Sequence, residues 1–160
     1  MVDGNSFVVE KDTRILYPED NVLLERNAQF LAGYIEETTG RRLKVEPGQG
    51  GNDENVIILG LDASIDNPEG YELTVLPDRV TIKGQAANGV FYGLQTLRKS
   101  VPAIAYGSDI ILPAAVIKDA PRFAYRGMML DVGRHFFSVD FVKRSIDLLA
   151  MHLSLIHISE

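Results

Sequence analysis

Three polar residues that lie close together in the sequence, Asp131, Arg134 and His135, have the types and spacing of a binding site. A guanidinium presents a rigid fork of N–H donors, which suits neighbouring hydroxyl groups that each offer lone pairs. The same guanidinium can form a salt bridge with Asp131, and both roles can hold together. The residue types alone therefore leave both roles open for Arg134. We predict Asp131 as the group that orients Arg134 or caps the loop, and His135 as a supporting, structural histidine.

These residues stand between a short apolar run and a predicted helix. Residues 128–130 are consecutive apolar side chains, the pattern of a strand buried on both faces. Ser138 is a suitable N-cap for the helix that follows. The apolar stripe of that helix consists of Val142, Ile146 and Leu149. Strand, polar loop and helix make one β/α unit, and in an eight-fold β/α barrel the polar residues at this end of a strand face the active site.

The same residues carry a family resemblance. Residues 125–138, Tyr-Arg-Gly-Met-Met-Leu-Asp-Val-Gly-Arg-His-Phe-Phe-Ser, are continued by Lys143 and by the run Ile-Asp-Leu-Leu-Ala-Met-His at 146–152. In order and spacing they resemble the first barrel unit of family 20 glycoside hydrolases, the β-N-acetylhexosaminidases. Residues 70–84 and 87–97 resemble, more loosely, the accessory α/β domain that precedes the barrel in that family.

The resemblance implies an exo-acting glycosidase. Such an enzyme removes terminal N-acetylglucosamine or N-acetylgalactosamine from glycans with retention and without a cofactor. Family 20 uses the acetamido group of the substrate as the nucleophile, and an adjacent aspartate and glutamate assist it. By the resemblance, Arg134 binds the hydroxyls of the terminal sugar. The Asp-Glu pair lies on a later barrel strand in the family, so we expect no catalytic residue in this chain and no activity from it.

Other candidate groups in the sequence have simpler interpretations. We predict the adjacent acidic residues as solvated surface; they are Glu19 with Asp20, Glu36 with Glu37, and Asp53 with Glu54. The glycine-rich run at 48–53 is not followed by Gly-Lys-Ser/Thr, so we predict a connection between strands rather than a phosphate site. Phe136 and Phe137 are predicted as core and staple residues rather than sugar-stacking platforms. His152 and His157 lack the spacing of a metal site, and no metal is predicted.

The length of 160 residues is too short for a complete β/α barrel, which needs about 250. We predict an α/β protein in two parts. Residues 1–120 form an α+β accessory domain, a mixed sheet with two helices packed on it. Residues 121–160 form the first β/α unit of an incomplete TIM barrel. Residues 153–160 depart from the family pattern, and we expect this tail to be non-native, joined from foreign sequence such as a translated sequencing adapter.

The pattern of the first part predicts the order β, α, β, β, β, β, α. Strands are predicted around residues 7–9, 43–47, 56–59, 71–75 and 80–82. The first helix has apolar residues at 24, 28, 31 and 35 and ends at Gly40, with Arg41 and Arg42 placed favourably beyond its negative end. The second helix has its stripe at 90, 94 and 97, and Gly89 and Gly93 indicate close packing on a sheet. Residues 102–113 and 116–123 are predicted as connections.

The composition of the chain argues against some classes of binding partner. The net charge of −6 and the lack of a Lys/Arg cluster argue against nucleic acid. The absence of cysteine leaves the compartment undecided, and no apolar run is long enough for a membrane span. The first residues lack the basic start and apolar core of a signal peptide, so we expect either a cytoplasmic protein or one whose signal has been removed. The family is commonly exported, in bacteria often to the periplasm, which favours a periplasmic or secreted protein.

Two alternatives stay open. The barrel can belong to another glycosidase, such as an α-glucuronidase, or the chain can be a non-catalytic α/β binding module. The Asp-Glu pair in the downstream reading frame separates the first alternative from a hexosaminidase. The barrel strand argues against the second, because a finished module does not need it.

Overall fold

The computed structural model describes residues 6–101, 109–152 and 155–159. The chain divides into two compact units, residues 1–120 and 121–160, and each is described by itself. The first unit has strands β1 (Ser6–Val9), β2 (Arg14–Tyr17), β3 (Lys44–Pro47), β4 (Val56–Leu61), β5 (Tyr71–Val75), β6 (Arg79–Gly84), β7 (Ile110–Pro113) and β8 (Ala115–Asp119), with helices α1 (Val22–Thr39) and α2 (Ala87–Ser100). The second unit has β9 (Gly127–Asp131), α3 (Val139–Met151) and β10 (Leu155–Ser159).

The first unit is built on a six-stranded mixed sheet in the order β3-β2-β4-β6-β5-β8. The pairs β3-β2, β2-β4 and β4-β6 are parallel, whereas β6-β5 and β5-β8 are antiparallel. Strands β1 and β7 form a separate antiparallel pair. Both helices pack against this sheet and against each other. The mixed α/β fold predicted from the sequence is therefore confirmed.

Helix α1 forms as its sequence predicts. The Asn21 side chain caps it by accepting a hydrogen bond from the backbone N–H of Leu24 at 3.0 Å. Gly40 ends it in the left-handed region with φ of 74°. Beyond that end, Arg41 donates to the carbonyl of Val9 at 2.6 Å and to the carboxylate of Asp109 at 2.7 Å. Arg41 therefore ties the end of α1 to β1 and to the residue that precedes β7, a structural role.

The contact of α2 with the sheet depends on Gly93. A Cβ at this position would lie 2.6 Å from Cγ2 of Ile82 on β6 and 3.1 Å from Cδ2 of Tyr71 on β5. Ile82 is fully buried and Tyr71 is nearly so. The predicted close packing on the sheet is confirmed at Gly93. At Gly89 a Cβ would meet the carbonyl oxygen of Gly70, just before β5, at 2.3 Å. Here the missing side chains set the distance between helix and sheet.

Three strands of the first unit were not predicted from the sequence. Residues 14–17 form β2, which was not predicted. The predicted connection at 102–113 contains β7, and its residues 102–108 lie outside the described residues. The predicted link at 116–123 overlaps β8, which extends the main sheet beside β5. Both strands pair with residues remote in sequence, which local patterns do not reveal.

The second unit is a strand-helix-strand unit. Strand β10 pairs with β9 in parallel, with Ile156 opposite Met128 and Ile158 opposite Leu130. The expectation that residues 128–130 are buried on both faces is wrong in this unit: Leu130 is 9% exposed, but Met128 is 43% and Met129 64% exposed. Among the described residues of this unit, β9 has one neighbouring strand, β10, and the side chains of Met128 and Met129 stay exposed beside it.

We predict that Gly93→Ala lowers the free energy of unfolding by about 1–3 kcal/mol, because the added methyl group overpacks against Ile82. The matched control is Gly33→Ala in α1, where a Cβ meets no atom within 4 Å. That substitution should raise the free energy of unfolding by up to about 1 kcal/mol through helix propensity. Urea unfolding followed by circular dichroism measures both. A stabilised Gly93→Ala variant would contradict the tight contact described above.

Candidate functional site

The candidate site is the loop between β9 and α3, and both of its ends are fixed locally. On the helix side, the hydroxyl of Ser138 accepts a hydrogen bond from the backbone N–H of Phe141 at 3.3 Å, the predicted N-cap. The ring of Phe137 stacks on that of Phe141 with 4.6 Å between centroids. This contact across the first turn of α3 is the predicted staple. The chain therefore enters α3 in a defined direction.

On the strand side, the carboxylate of Asp131 organises the loop. Its Oδ1 accepts hydrogen bonds from the backbone N–H groups of Gly133 at 3.0 Å and Arg134 at 2.9 Å. Its Oδ2 accepts a further hydrogen bond from Nε of Arg134. Such side-chain bonds to a following backbone are typical of aspartate in tight turns. Asp131 thus acts on both the backbone and the side chain of Arg134.

These bonds stabilise the ionised form of Asp131. The backbone N–H of Arg134 is the largest cause that lowers the pKa of the carboxyl, followed by the Arg134 side chain. Partial desolvation opposes the shift, and the backbone N–H of Gly133 adds to it. The carboxylate is therefore negative well below neutral pH, and it holds the guanidinium of Arg134 as an ion pair.

Arg134 keeps most of its donors available. Its side chain is 82% exposed, whereas that of Asp131 is 23% exposed. Nε is engaged by Asp131, and the two terminal nitrogens bond no other residue in the described part of the chain. A guanidinium fixed through Nε presents its remaining N–H groups as a fork that can bind hydroxyl or carboxylate oxygens.

The two residues after Arg134 are also exposed. His135 is exposed and hydrogen-bonds to none of the described residues, so its supporting role stays a prediction. Phe136 is 93% exposed, and its predicted place in the core is wrong here. Only one of the two neighbouring phenylalanines can turn towards α3, and Phe137 does so.

The acidic neighbours of the first unit have local partners or lie at the surface. Asp53 forms an ion pair with Arg14 at 2.9 Å, and Glu46 pairs with the same guanidinium at 3.0 Å. Glu36 and Glu37 are exposed on α1. The described residues contain no group of three or more ligating side chains arranged to hold a metal ion. In the part of the chain that the structure describes, no helix is long and apolar enough to cross a membrane.

One arrangement was missed by the sequence analysis. The guanidinium of Arg98 on α2 lies over the ring of Tyr34 on α1, 4.4 Å from its centroid, and 5.9 Å from the centroid of Phe30. The spacing of the two aromatic residues on one helix face was visible in the sequence. Their meeting with Arg98 depends on helix packing, which was not.

Comparisons with known proteins cover nearly the whole chain. Residues 1–120 match the family profile described as glycosyl hydrolase family 20, domain 2, and residues 123–158 match the profile of the family 20 catalytic domain. A β-hexosaminidase of Porphyromonas gingivalis is 38% identical over 153 residues, which are 92% of this chain and 19% of that protein. A β-N-acetylhexosaminidase of Cellulomonas fimi is 34% identical, over 98% of this chain and 31% of that protein.

Solved structures give the same result. The family 20 β-N-acetylhexosaminidase of Streptomyces coelicolor A3(2) matches with a TM-score of 0.83 and 36% identity, over 99% of this chain and 32% of that one. The Streptomyces plicatus enzyme in complex with Thio-NAglucal matches with a TM-score of 0.84 and 34% identity, over 98% of this chain and 32% of that one. The chain thus spans less than a third of these relatives. With a family 20 profile matched over residues 1–120 and another over 123–158, the chain belongs to glycosyl hydrolase family 20.

Proposed function

We propose that this sequence supplies the accessory domain and the beginning of the catalytic domain of an exo-acting β-N-acetylhexosaminidase. The observation that carries the proposal is the match of residues 123–158 to the family 20 catalytic domain, since this segment contains β9 and Arg134. Family membership also argues against the first alternative, an unrelated barrel glycosidase such as an α-glucuronidase.

The domain assignment follows the two units. Residues 1–120 are the accessory α/β domain, and residues 121–160 are the start of a (β/α)8 barrel, with 153–160 as a non-native tail. Support for the barrel comes from β9 followed by α3, because a strand followed by a helix is the repeating unit of that fold. The carboxyl end of β9, where Arg134 lies, is then the active-site end of its strand.

Arg134 binds hydroxyl groups of the terminal sugar, with Asp131 as a positioning residue and His135 in support. The terminal nitrogens of Arg134 reach the sugar while Nε stays bonded to Asp131. Asp131 fixes the guanidinium before substrate arrives, which lowers the ordering cost of binding. The match between a planar donor fork and neighbouring hydroxyls supports this division of roles.

The substrate is a glycan with a terminal N-acetylhexosamine, N-acetylglucosamine or N-acetylgalactosamine. A solved structure of the Streptomyces plicatus relative contains the product GlcNAc, which supports the first sugar. Hydrolysis proceeds with retention through two displacements at the anomeric carbon. The acetamido oxygen of the substrate attacks this carbon as the glycosidic bond breaks and the leaving oxygen takes a proton from the assisting glutamate, and water then attacks the same carbon and opens the cyclic intermediate. The assisting Asp-Glu pair belongs to a later strand of the barrel, so this chain binds at one point of the subsite and catalyses nothing alone.

One prediction from this proposal concerns activity. The purified chain of 160 residues should not hydrolyse an aryl N-acetylglucosaminide, whereas a chain that continues from His152 through the native downstream reading frame should. In that longer chain, Arg134→Ala should lower kcat/KM about 10- to 100-fold, since hydrogen bonds to charged groups contribute about 1.5–3 kcal/mol. Arg144→Ala, an exposed arginine on α3, is the control. Turnover by the short chain, or full activity of Arg134→Ala, would overturn the proposal.

A further prediction concerns pH. Because the folded-state pKa of Asp131 is lowered, the bonds of its carboxylate stabilise the loop above the unfolded pKa and are lost as pH falls through the folded pKa. In an NMR titration, the backbone amides of Gly133 and Arg134 should shift together, with a midpoint below the ordinary aspartate value of about 3.9.

Two variants test the cause of that shift. Arg134→Gln should raise the midpoint but leave it below the ordinary value, because the backbone N–H groups still donate to the carboxylate. Asp131→Asn should abolish the titration of both amides. Unchanged amide shifts across the acidic range in the unmodified chain would show that Asp131 does not organise the loop in solution.

A further inference from the structure

The helix end of the loop between β9 and α3 holds two aromatic rings, those of Phe137 and Phe141. The rings are nearly parallel, with an interplanar angle of 15° and 4.6 Å between their centroids. Phe137 lies two residues before α3 begins, and Phe141 lies in the first turn of that helix. We propose that Phe137 is a positioning residue for Arg134, because its stacking on Phe141 holds the loop in the conformation that binds the sugar. This inference rests on the proposed function of Arg134.

The first argument is that Asp131 anchors the loop from the strand side only. Its carboxylate bonds the backbone of Gly133 and both the backbone and the side chain of Arg134, and among the described residues it bonds none beyond Arg134. The side chain of Arg134 is 82% exposed, and an ion pair at such exposure is weak because water and salt compete with it. A loop held in this way keeps one conformation only when its other end is fixed as well.

The second argument is that the contacts at the helix end converge on Phe141. Its backbone N–H donates to the hydroxyl of Ser138, and its ring stacks on that of Phe137. The hydrogen bond is long, at 3.3 Å, so the ring contact is the better formed of the two. Only two residues separate Phe137 from Arg134. A displacement of Phe137 is therefore transmitted to Arg134 over a very short span of backbone.

The third argument is that the stacked pair is a local structure. Phe141 is 47% exposed, and α3, which the structure describes in full, contains no buried residue. The two rings are therefore held by each other rather than by a surrounding core. Aromatic pairs of this kind contribute to stability beyond the area that they bury. The loop and the first turn of α3 form this contact without the parts of the longer relatives that this chain lacks.

The role of Phe137 follows from the timing of the contact. The stack is present before substrate binds, so it lowers the cost of ordering Arg134 on binding. Loss of the stack should therefore weaken binding and raise KM, while kcat stays the same. A merely structural role would differ, because a smaller folded fraction lowers the apparent kcat and leaves KM unchanged. The two kinetic constants thus separate positioning from stability.

The test uses the longer chain that continues from His152 through the native downstream reading frame. We expect Phe137→Leu to raise KM for an aryl N-acetylglucosaminide about three- to tenfold, the range that an aromatic pair contributes, with kcat unchanged. Phe137→Tyr keeps the stacked ring and should restore KM. Phe30→Leu is the matched control, since it removes one ring of an aromatic pair in the first unit, and it should leave KM unchanged. An unchanged KM in Phe137→Leu, or a fall in kcat alone, would overturn the proposal.

A double-mutant cycle shows whether Phe137 acts through Arg134. In the Arg134→Ala background, Phe137→Leu should have no further effect on KM, because the side chain that it positions is gone. Additive effects of the two substitutions would contradict the positioning role. Full activity of Arg134→Ala would instead overturn the sugar-binding role of Arg134. An impaired Arg134→Ala together with a normal Phe137→Leu would overturn the positioning role alone.

A second measurement is independent of activity. In the 160-residue chain, the heteronuclear NOE of the Arg134 backbone amide reports its motion on the picosecond to nanosecond timescale. This NOE should fall in Phe137→Leu and return to its original value in Phe137→Tyr. Thermal unfolding checks that each variant is folded. An unchanged NOE in a folded Phe137→Leu variant would show that the stack does not hold Arg134.

Discussion

The close approach of α2 to the sheet is the contact on which the first unit depends. At Gly93 the helix lies so near to Ile82 and Tyr71 that no side chain fits between them. This distance fixes α2 over the β5-β6 hairpin, and α1 then packs beside α2 on the same face of the sheet. The position of Arg98 over the rings of α1 follows from the same packing. The absence of a side chain at Gly93 therefore fixes the packing of α2 on the sheet. Through that packing it also fixes the position of Arg98 over the rings of α1.

In the second unit a single carboxylate has the corresponding role. Asp131 accepts two backbone hydrogen bonds and one from the side chain of Arg134. A salt bridge and a ligand-binding role for Arg134 are therefore compatible, because the carboxylate uses Nε and leaves the terminal nitrogens exposed. The ion pair with Asp131 orients the guanidinium of Arg134. Because the Arg134 side chain is largely exposed, the pair contributes little to folding stability by itself. Its value lies in the orientation of the side chain.

The sequence predicted the elements that carry their own signals. Helix α1 has a periodic apolar stripe between Asn21 and Gly40, and the β5-β6 hairpin alternates on both sides of a Pro-Asp turn. Strands β2, β7 and β8 were not predicted, and their partners are remote in the chain; β7 pairs with β1 across about a hundred residues. Non-local pairing of this kind is decided by the assembled sheet, and a local pattern cannot report it.

At the candidate site, too, local contacts could be predicted from the sequence and non-local ones could not. The types and spacing of Asp131 and Arg134 were enough to predict their bond, since both partners lie in one turn. The exposure of Met129 and Phe136 depends on which surfaces face them, and their own sequence gives no information on that point. Gly33 and Gly93 show most clearly that residue type alone does not reveal the surroundings of a side chain. Both are glycines inside helices, yet one faces a buried isoleucine and the other faces open space. The first is explained by the fold that contains it, whereas no contact among the described residues explains the second.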